Sequence, residues 1–276
     1  MHIYYINLDR SPKREELMRL QLQKNPTIKF QRVRAIDGTN TKDLTENLLI
    51  SNCYIRNRLI AWGNNAIQSP EQRRQSIIFI QKQLACLVSH MSAIKTAYDA
   101  GLEVAIILED DVDLTILNSI PAALDKITRN LKDETNIVQL FTSSEEMIPF
   151  YEGSIENKGI RLLKRNPNFW GCCGYLITRA GMENIMKFYD TNQNKFNLSQ
   201  FNGAQVNLIS EKFIYNVADK DTILSLPLLN ILDPIYLPST IATDIKYASN
   251  HINIHKFVNM GKEQIITVIK SNELIS

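Results

Sequence analysis

The sequence predicts an α/β fold, in which a Rossmann-type, mostly parallel sheet is flanked by helices. Residues 3–8 and 104–108 are short apolar runs typical of buried strands, and the second run follows a segment whose apolar residues repeat every three or four positions. Strand and helix signals continue to alternate as far as about residue 190. This alternation is typical of parallel strands joined by crossover helices.

The first elements are predicted from the turns that separate them. Ser11 and Pro12 follow the first strand as a helix N-cap and a proline at the first helical position. Residues 30–36 form a second, half-exposed strand, which ends at the Asp-Gly turn of residues 37–38. Residues 39–83 contain Asn-, Ser- and Gln-rich stretches, and we expect loops and short helices there.

The later elements are predicted from periodicity and from the residues that interrupt it. We expect a helix at 84–99 ended by Gly101, strands at 104–108, 137–141 and 174–178, a helix at about 119–131, and a helix to about 189 capped by Thr178. A chain of 276 residues is near the upper size for one hydrophobic core. We therefore expect one domain over residues 1–240 and a C-terminal extension, 241–276, packed on it.

The composition excludes several classes of protein. Charged residues make up 22% and hydrophobic residues 44% of the chain, which is typical of a globular protein rather than a disordered one. With 31 Lys and Arg against 29 Asp and Glu, the formal charge of +2 argues against a nucleic-acid partner. The four cysteines do not form a disulfide framework or a C-x-x-C metal motif, so we interpret them as reduced and structural.

The location of the protein is predicted from two missing patterns. The N-terminus has no basic region followed by an apolar run and a cleavage site. No apolar stretch approaches the roughly 20 residues that cross a bilayer. We expect a cytoplasmic protein, whose contact with the inner membrane, if it has one, is peripheral and made through a surface patch.

An acidic cluster follows the buried strand predicted at residues 104–108. Glu109, Asp110 and Asp111 stand at its carboxyl end, where open α/β sheets bind ligands. Hard divalent ions, Mn²⁺ or Mg²⁺, bind carboxylates and bridge them to phosphates. Because strand residues alternate, we expect Glu109 and Asp111 on one side, toward the nucleotide and the metal, and Asp110 on the other. The alternative is a solvated acidic turn that caps the next helix.

Basic residues and histidines supply further candidates. Arg10, Lys13 and Arg14 surround the start of the first helix, which favours either a nucleotide or pyrophosphate site or a solvated basic face. Neither a G-x-G-x-x-G sequence nor a Walker A motif is present. His90 by itself is typical of a hydrogen-bonded packing residue. His251 and His255 share i, i+4 spacing, but carboxylates already suit a hard ion better than this pair does.

Five blocks in order carry a resemblance that no single motif carries. They are YINLDR at 5–10 with Arg14, RAIDG at 34–38, ACLVSH at 85–90, ILEDDV at 107–112, and Trp170-Gly171 followed by GYLITRAG at 174–181. Together they resemble glycosyltransferase family 25. This family contains the lipooligosaccharide galactosyl- and glucosyltransferases and the collagen hydroxylysine galactosyltransferases.

The resemblance implies a GT-A type fold, a UDP-sugar donor, a divalent cation and inversion at the anomeric carbon. It implies that Glu109 and Asp111 bind the metal at a D-x-D-like motif, and that the donor contacts Asn7, Arg10, Arg14, Asp37, Ser89, His90 and Glu109. Glu211 stands in a later block where the family commonly has Asp. We therefore regard Glu211, Asp219 and Asp110 as the candidate catalytic carboxylates, and we expect a sugar ring to stack on Trp170.

The predicted function is that of a metal-dependent inverting glycosyltransferase. It would move galactose or glucose from a UDP-sugar to a saccharide acceptor such as lipooligosaccharide, with residues 1–240 as the catalytic domain. Three alternatives stay open at this point. They are transfer to a protein acceptor of the hydroxylysine type, a non-catalytic sugar-nucleotide-binding protein, and a metal-dependent phosphohydrolase.

Overall fold

The computed structural model describes residues 2–61, 69–119, 123–129, 131, 135–156, 160–167, 169–203, 207–218, 223–224, 229–231, 245–271 and 274–275. The strands are β1 (His2–Asn7), β2 (Lys29–Arg34), β3 (Leu48–Ile50), β4 (Val104–Glu109), β5 (Val112–Asp113), β6 (Ile137–Gln139), β7 (Ile160–Arg161), β8 (Leu163–Lys164), β9 (Gly174–Thr178), β10 (Tyr189–Asp190), β11 (Lys195–Leu198), β12 (Ile223–Leu224), β13 (Asn230–Ile231) and β14 (Leu274–Ile275). The helices are α1 (Pro12–Leu22), α2 (Thr41–Asn47), α3 (Tyr54–Ala61), α4 (Pro70–Asp99), α5 (Thr115–Ser119), α6 (Ala123–Arg129), α7 (Ile148–Glu156), α8 (Arg179–Met186), α9 (Ser210–Lys212) and α10 (Ile245–Ser271), with a 3-10 turn at Glu145–Met147 and a π-helical segment at Phe213–Ala218.

A seven-stranded sheet in the order β2-β1-β4-β9-β6-β12-β8 organises the fold. Strand β1 lies between β2 and β4 and is parallel to both, and β12 is parallel to β6. Strand β9 runs antiparallel to β4 on one side and to β6 on the other, and β8 is antiparallel to β12. Smaller sheets are formed by β10-β11-β3, β13-β5 and β14-β7.

The α/β class is confirmed, whereas the prediction of a mostly parallel sheet is not. The sheet is mixed, because β9 enters its centre in the opposite direction to both neighbours. A strand buried on both faces has the same apolar sequence whichever way it runs. Periodicity therefore predicts that β9 is buried and says nothing about its direction.

Helix α4 is the longest element and packs across one face of the sheet. The prediction of a helix at 84–99 is confirmed at its C-terminal end, but the helix begins at Pro70, so the expectation of loops and short helices at 70–83 is wrong. Ser69 caps the helix, and Gln72 completes a capping box with it. The first turns are exposed and polar, so they lack the apolar stripe on which the prediction rested.

By length and composition α4 also meets the criterion for a membrane-crossing helix. Its most apolar 18-residue window has a mean hydropathy of 1.4, and 56% of that window is buried inside the fold. The buried residues include Leu87, Val88 and Ile94, which belong to the core formed with the sheet. We therefore interpret α4 as a core helix.

The remaining elements agree with the sequence to different degrees. Strand β9 has the predicted bounds, and the Thr178 hydroxyl accepts the N-cap hydrogen bond from Gly181 N, although helix α8 ends at Met186. The expected helix at 119–131 is replaced by α5 and α6, and the strand at 137–141 ends at Gln139. Ser11 is the N-cap of α1, but its side chain makes no capping hydrogen bond.

The C-terminal helix α10 lies on the face of the sheet opposite α4. It packs on α7, α5 and β13, and its Val258 and Ile265 are buried in the core cluster of that face. The division at residue 240 stays a prediction. The four cysteines are free, as expected, and Cys172 and Cys173 are buried.

Candidate functional site

The carboxyl ends of β1 and β4 meet at one edge of the sheet. The two strands are parallel neighbours, and Ile6 is paired with Glu109 in their register. The residues that follow each strand are therefore brought together although about a hundred positions separate them in the chain. Asn7 Nδ2 donates a hydrogen bond of 2.7 Å to Asp110 Oδ2 across this edge.

Asp110 is held by a buried arginine as well as by Asn7. Arg14 Nη1 donates to Asp110 Oδ1 at 2.7 Å and lies 3.6 Å from Asp111 Oδ2. The side chains of Arg14 and Asp110 are only 9% and 12% exposed. Burial opposes the charge of Arg14, but Asp111 and Asp110 outweigh it and raise the pKa of the guanidinium. Burial raises the pKa of Asp110, with Arg14 acting against it.

The expected alternation of the three acids is not observed. Strand β4 ends at Glu109, and Asp110 and Asp111 lie in the turn before β5. In that turn both aspartates approach Arg14, whereas Glu109 faces α4. The period-two rule for side chains applies only within a strand. The prediction that Asp110 points away from Asp111 is therefore wrong.

Glu109 ends a chain of polar contacts with His90 and Tyr175. His90 Nε2 lies 3.1 Å from Glu109 Oε1, and His90 Nδ1 lies 3.2 Å from the Tyr175 hydroxyl. His90 is 1% exposed, whereas 27% of the Glu109 side chain is exposed. The hydrogen-bonded packing role expected for an isolated histidine is present, but its partner is a candidate site carboxylate.

Asp111 has fewer hydrogen-bond partners and a longer contact with Arg14 than Asp110 has. Its Oδ1 is buried and has no hydrogen-bond partner in the described part of the chain. Burial first, and then the charge of Glu109, raise the pKa of Asp111 to about 7, with Arg14 acting in the opposite direction. A cation at this turn would offset the charges of Glu109 and Asp111 and would contact the oxygen that has no hydrogen-bond partner.

Two further groups approach the acidic turn from α4 and α9. Cys86 lies one helical turn before His90, and its Sγ is 3.5 Å from Ser210 Oγ. The Ser210 hydroxyl in turn donates to Glu211 Oε2 at 3.1 Å. Burial raises the pKa of Glu211, and Glu109 acts in the same direction. Glu211 is therefore part of the same electrostatic environment as the acidic turn.

The basic residues near the first turn are largely committed to acids. Arg10 Nε donates to Asp37 Oδ2 at 2.7 Å. Arg32 and Arg34 both bind Asp9, and Arg34 also forms a two-point contact with Asp43 at 3.0 and 2.9 Å. This network holds the ends of β1 and β2 to helix α2.

The side chains of Asp37 and Ser89 both accept hydrogen bonds from backbone amides that follow β2. Burial opposes ionisation of Asp37, but hydrogen bonds from Arg10 and Thr39 lower its pKa to about 2. The Ser89 hydroxyl accepts from Ile36 N at 2.8 Å and donates to Ala85 O at 2.7 Å. It therefore joins the end of β2 to α4.

A cavity of about 70 Å³ opens between these elements. Its lining comes from β1, the turn after β2, α4 and the acidic turn, and includes Arg10, Ile36, Gly38, Lys82, Ser89, His90, Glu109 and Asp110. A Cβ on Gly38 would stand 2.5 Å from Lys82 Cα, so this position requires glycine for the turn to contact α4. Lys82 forms no ion pair with any acid that the structure describes.

A second, larger groove continues along α4 from this cavity. Its volume is about 590 Å³, and its lining residues are Thr39, Thr41, Pro70, Arg73, Arg74, Ile77, Ile78 and Gln81. Gly38 and Lys82 in the cavity are chain neighbours of Thr39 and Gln81 in the groove. Arg73 and Arg74 are exposed, and no acid in the described ranges forms an ion pair with them.

Trp170 lies in a loop fastened to the end of β6. Its backbone oxygen accepts from Thr142 Oγ1 at 2.6 Å and from Ser143 N at 3.1 Å. Lys212 Nζ lies 4.9 Å from the centre of its ring. This cation occupies one face of the indole, and sugar stacking on Trp170 stays a prediction.

Most of the predicted site residues are brought to one edge of the sheet. They are Asn7, Arg10, Arg14, Asp37, Ser89, His90, Glu109, Asp110 and Asp111. Asp219 lies outside the described residues, and so does the side chain of His251, while His255 bonds Asn259 at 2.9 Å in α10. Three residues near the site were not predicted from the sequence: Cys86, Lys82 and Tyr175. The i, i+4 spacing of Cys86 and His90 was a detectable signal for the first of them.

The fold and the site together are typical of an α/β protein that binds its ligand at the carboxyl edge of the sheet. This edge carries an acidic turn with a buried oxygen that has no partner among the described residues, beside a cavity that Arg10 and Lys82 line. A family model described as glycosyltransferase family 25 (LPS biosynthesis protein) matches residues 1–197. The chain belongs to this family, and membership supports a glycosyltransferase activity. No curated protein matches the chain.

The family match covers most of the site. It includes β1, the turn after β2, α4, the acidic turn and β9, and it ends before Glu211 and Asp219. The resemblance carried by the five sequence blocks is therefore confirmed for residues up to 197. The two candidate carboxylates beyond that point have no support from the match.

Proposed function

We propose that the protein is a metal-dependent inverting glycosyltransferase with a GT-A type sheet. It transfers galactose or glucose from a UDP-sugar to a saccharide acceptor such as lipooligosaccharide. The observation that carries the proposal is Asp111 Oδ1, a buried carboxylate oxygen without a hydrogen-bond partner among the described residues, next to Glu109. A site for neutral ligands has no reason to maintain this arrangement, since it is costly without a cation.

The residues of the acidic turn fit a hard divalent ion. Glu109 and Asp111 supply carboxylate oxygens, which are the ligands that Mn²⁺ and Mg²⁺ prefer. When bound, the ion would neutralise charge that develops on the departing diphosphate. Arg14 acts on this site indirectly, because it neutralises Asp110 and holds the turn in place. We assign Arg14 a positioning role rather than a direct contact with the donor.

The nucleotide part of the donor would lie at the mouth of the cavity beside the turn, because the cavity itself, at about 70 Å³, is too small to enclose a nucleotide. Lys82 and Arg10 both line it, and Arg10 is bound to Asp37 at the same time. Ile36 and the Gly38 backbone form an apolar wall against which a flat base can lie. We propose that Lys82 contacts the diphosphate, and that Asn7, Ser89 and His90 maintain the walls of the cavity.

Glu211 is the carboxylate best suited to act as base. Asp110 already accepts hydrogen bonds from both Arg14 and Asn7, so its oxygens are committed. Burial raises the pKa of Glu211 and makes it a stronger proton acceptor than an exposed glutamate. In the proposed step, the Glu211 carboxylate takes the acceptor hydroxyl proton as that oxygen attacks the anomeric carbon and UDP leaves.

The groove along α4 is the proposed acceptor site. It continues from the cavity, and Arg73 and Arg74 provide positive charge beside the apolar Ile77 and Ile78. An acceptor that carries both phosphate and apolar groups complements such a surface. The protein would then act in the cytoplasm, in peripheral contact with the membrane that holds this acceptor.

Donor turnover tests the function. The full chain is incubated with UDP-galactose or UDP-glucose and lipooligosaccharide, with Mn²⁺ or with a chelator, and UDP release is measured. We expect acceptor-dependent release with Mn²⁺ and none with the chelator. Binding of UDP-sugar in a thermal-shift assay without any UDP release would instead indicate a non-catalytic binding protein.

The acceptor site is tested by charge reversal. The double variant Arg73→Glu/Arg74→Glu should raise the KM for lipooligosaccharide about tenfold and leave the KM for the UDP-sugar unchanged. Lys13→Glu on α1 is the matched control, since Lys13 is exposed and does not line the groove. An unchanged acceptor KM in the double variant would remove the groove from the acceptor site.

A further inference from the structure

Side chains from α4 and β4 form a group of mixed ligand atoms at the wall of the cavity. Cys86 and His90 are four residues apart and therefore share one face of α4. Glu109 faces them from the end of β4. The thiol sulphur, an imidazole nitrogen and a carboxylate oxygen of these residues all lie within 4.8 Å of one another.

We propose that Cys86, His90 and Glu109 form a binding site for a thiophilic divalent cation, with Zn²⁺ as the best match. Thiolate, imidazole and carboxylate are the ligands of zinc sites, whereas Mn²⁺ and Mg²⁺ select oxygen. This site differs in chemistry from the carboxylate pair of Glu109 and Asp111. The two sites share Glu109, so one carboxylate serves ions of two kinds.

The imidazole is oriented for such a site by Tyr175. The Tyr175 hydroxyl lies 3.2 Å from His90 Nδ1, which leaves Nε2 directed at Glu109. A hydrogen bond on the far nitrogen is the usual support of a metal-binding histidine. Because His90 is almost completely buried, its ring has little freedom to turn away.

The charge around Cys86 also favours a cation. The carboxylates of Glu109, Glu211 and Asp111 are all near enough to act electrostatically on the Cys86 thiol. These carboxylates disfavour a bare thiolate but attract a divalent ion placed among them. Binding would release the thiol proton to solvent, so the uptake of the ion is accompanied by proton release.

The site has an entry route and an open coordination position. Cys86, His90 and Glu109 all line the 70 Å³ cavity, so an ion can reach them from there. Three protein ligands leave a fourth position for water or substrate, as in catalytic zinc sites, whereas structural sites are closed by four protein ligands. If the proposed glycosyltransferase function holds, Zn²⁺ at this site takes Glu109 away from the hard ion and inhibits transfer.

Cobalt substitution tests the site without any assay of activity. Co²⁺ is titrated into the full chain carrying Cys53→Ser, which removes the exposed thiol. We expect a thiolate-to-cobalt charge-transfer band in the near ultraviolet that saturates at one Co²⁺ per chain and disappears when Zn²⁺ is added. The absence of this band would overturn the proposal.

Two ligand variants and one matched control assign the band. Adding Cys86→Ser should abolish it, and adding His90→Gln should weaken Co²⁺ binding at least about tenfold. Adding Cys172→Ser should leave it unchanged, because Cys172 is another buried thiol near Glu109 but not a member of the group. A band that survives Cys86→Ser, or one lost in Cys172→Ser, would overturn the assignment. If Cys86→Ser does not fold, the affinity of His90→Gln decides.

Inhibition is a separate measurement. Zn²⁺ added to the Mn²⁺-activated enzyme should inhibit UDP release, and the half-inhibitory concentration should rise at least about tenfold in Cys86→Ser. Equal inhibition of both proteins would contradict the regulatory role. An enzyme without glycosyltransferase activity that still shows the cobalt band would refute the proposed function and leave the zinc site standing.

Discussion

Two charged clusters stand at the same edge of the sheet and differ in how their charges are balanced. Around the end of β2, Arg10, Arg32 and Arg34 are each bound to aspartates, at distances of 2.6 to 2.9 Å. At the end of β4, Asp110 and Asp111 share Arg14, Glu109 contacts His90, and Asp111 Oδ1 has no partner among the described residues.

This difference shows where binding capacity lies. The basic turn looks in the sequence like a site for an anion, yet Arg10 is paired with Asp37 and Arg14 with Asp110. The acidic turn keeps an excess of negative charge in a buried place, which an external cation would relieve. The contrast therefore supports the proposed cation site at the acidic turn.

The largest expected effect comes from removing the charge of the acidic turn. Asp111→Asn should lower Mn²⁺-dependent UDP release by at least about 100-fold, because a metal ligand is lost, while the protein stays folded. Circular dichroism and the rate of UDP release measure the two outcomes. Asp113→Asn is the control, since Asp113 accepts from Thr115 N at 2.9 Å and lies beyond the turn. Full activity in Asp111→Asn would contradict the assignment of Asp111 as a metal ligand.

The next largest effect is expected on stability, from breaking the buried ion pair of Arg14 and Asp110. Arg14→Met should lower the free energy of unfolding by about 3 kcal/mol, because it leaves Asp110 buried without its cation. Urea unfolding measures this. Replacing both partners, Arg14→Met with Asp110→Leu, should recover part of the loss. A double variant less stable than Arg14→Met alone would show that the pair itself, and not the orphaned charge, provides the stability.

The pH dependence of the metal-free protein tests the excess charge directly. The folded state keeps a proton on Asp111 up to about pH 7, where burial holds its pKa, whereas the unfolded chain releases it near the ordinary aspartate pKa of 3.8. Between these values the folded state binds more protons, so the free energy of unfolding falls as the pH rises. With a chelator present, we expect urea unfolding to show a loss of at least about 1 kcal/mol from pH 5 to pH 8. An identical loss in Asp111→Asn would assign the effect to other groups.

The smallest effect is expected at the balanced cluster. Arg10→Gln should change the free energy of unfolding by less than about 1 kcal/mol, since Arg10 is 47% exposed and its pair with Asp37 is screened by solvent. The comparison with Arg14→Met in the same urea experiment measures the contrast between the two clusters. A loss at Arg10 as large as that at Arg14 would mean that both clusters support the fold equally.

Several elements were predictable because their signals are local. Strand β9, the C-terminal half of α4 and the Thr178 cap follow from apolar periodicity and capping residues. The N-terminal half of α4 was missed because its exposed residues carry no apolar stripe. The direction of β9 was missed because strand direction leaves no trace in the burial pattern.

The candidate site also has features that were predictable from the sequence and features that were not. The acidic turn and the basic turn are both visible as runs of charge, and the ordered blocks point to the family that the comparison confirms. Which arginine meets which acid was not predictable. Arg14 and Asp110 are 96 residues apart and meet only because β1 and β4 are neighbours in the sheet.

The sequence by itself determined the α/β class and the acidic turn at the end of β4, because each rests on residues close together in the chain. It also determined the family, because the order of the five blocks is a property of the chain and does not depend on how they pack. Only the tertiary structure decided that Arg14 neutralises Asp110, that Asp111 keeps a buried oxygen without a partner among the described residues, and that Cys86 and His90 meet Glu109. The reason is physical. Charge balance and ligand geometry depend on distances between segments remote in the chain, which are set when strands pair and α4 packs on the sheet.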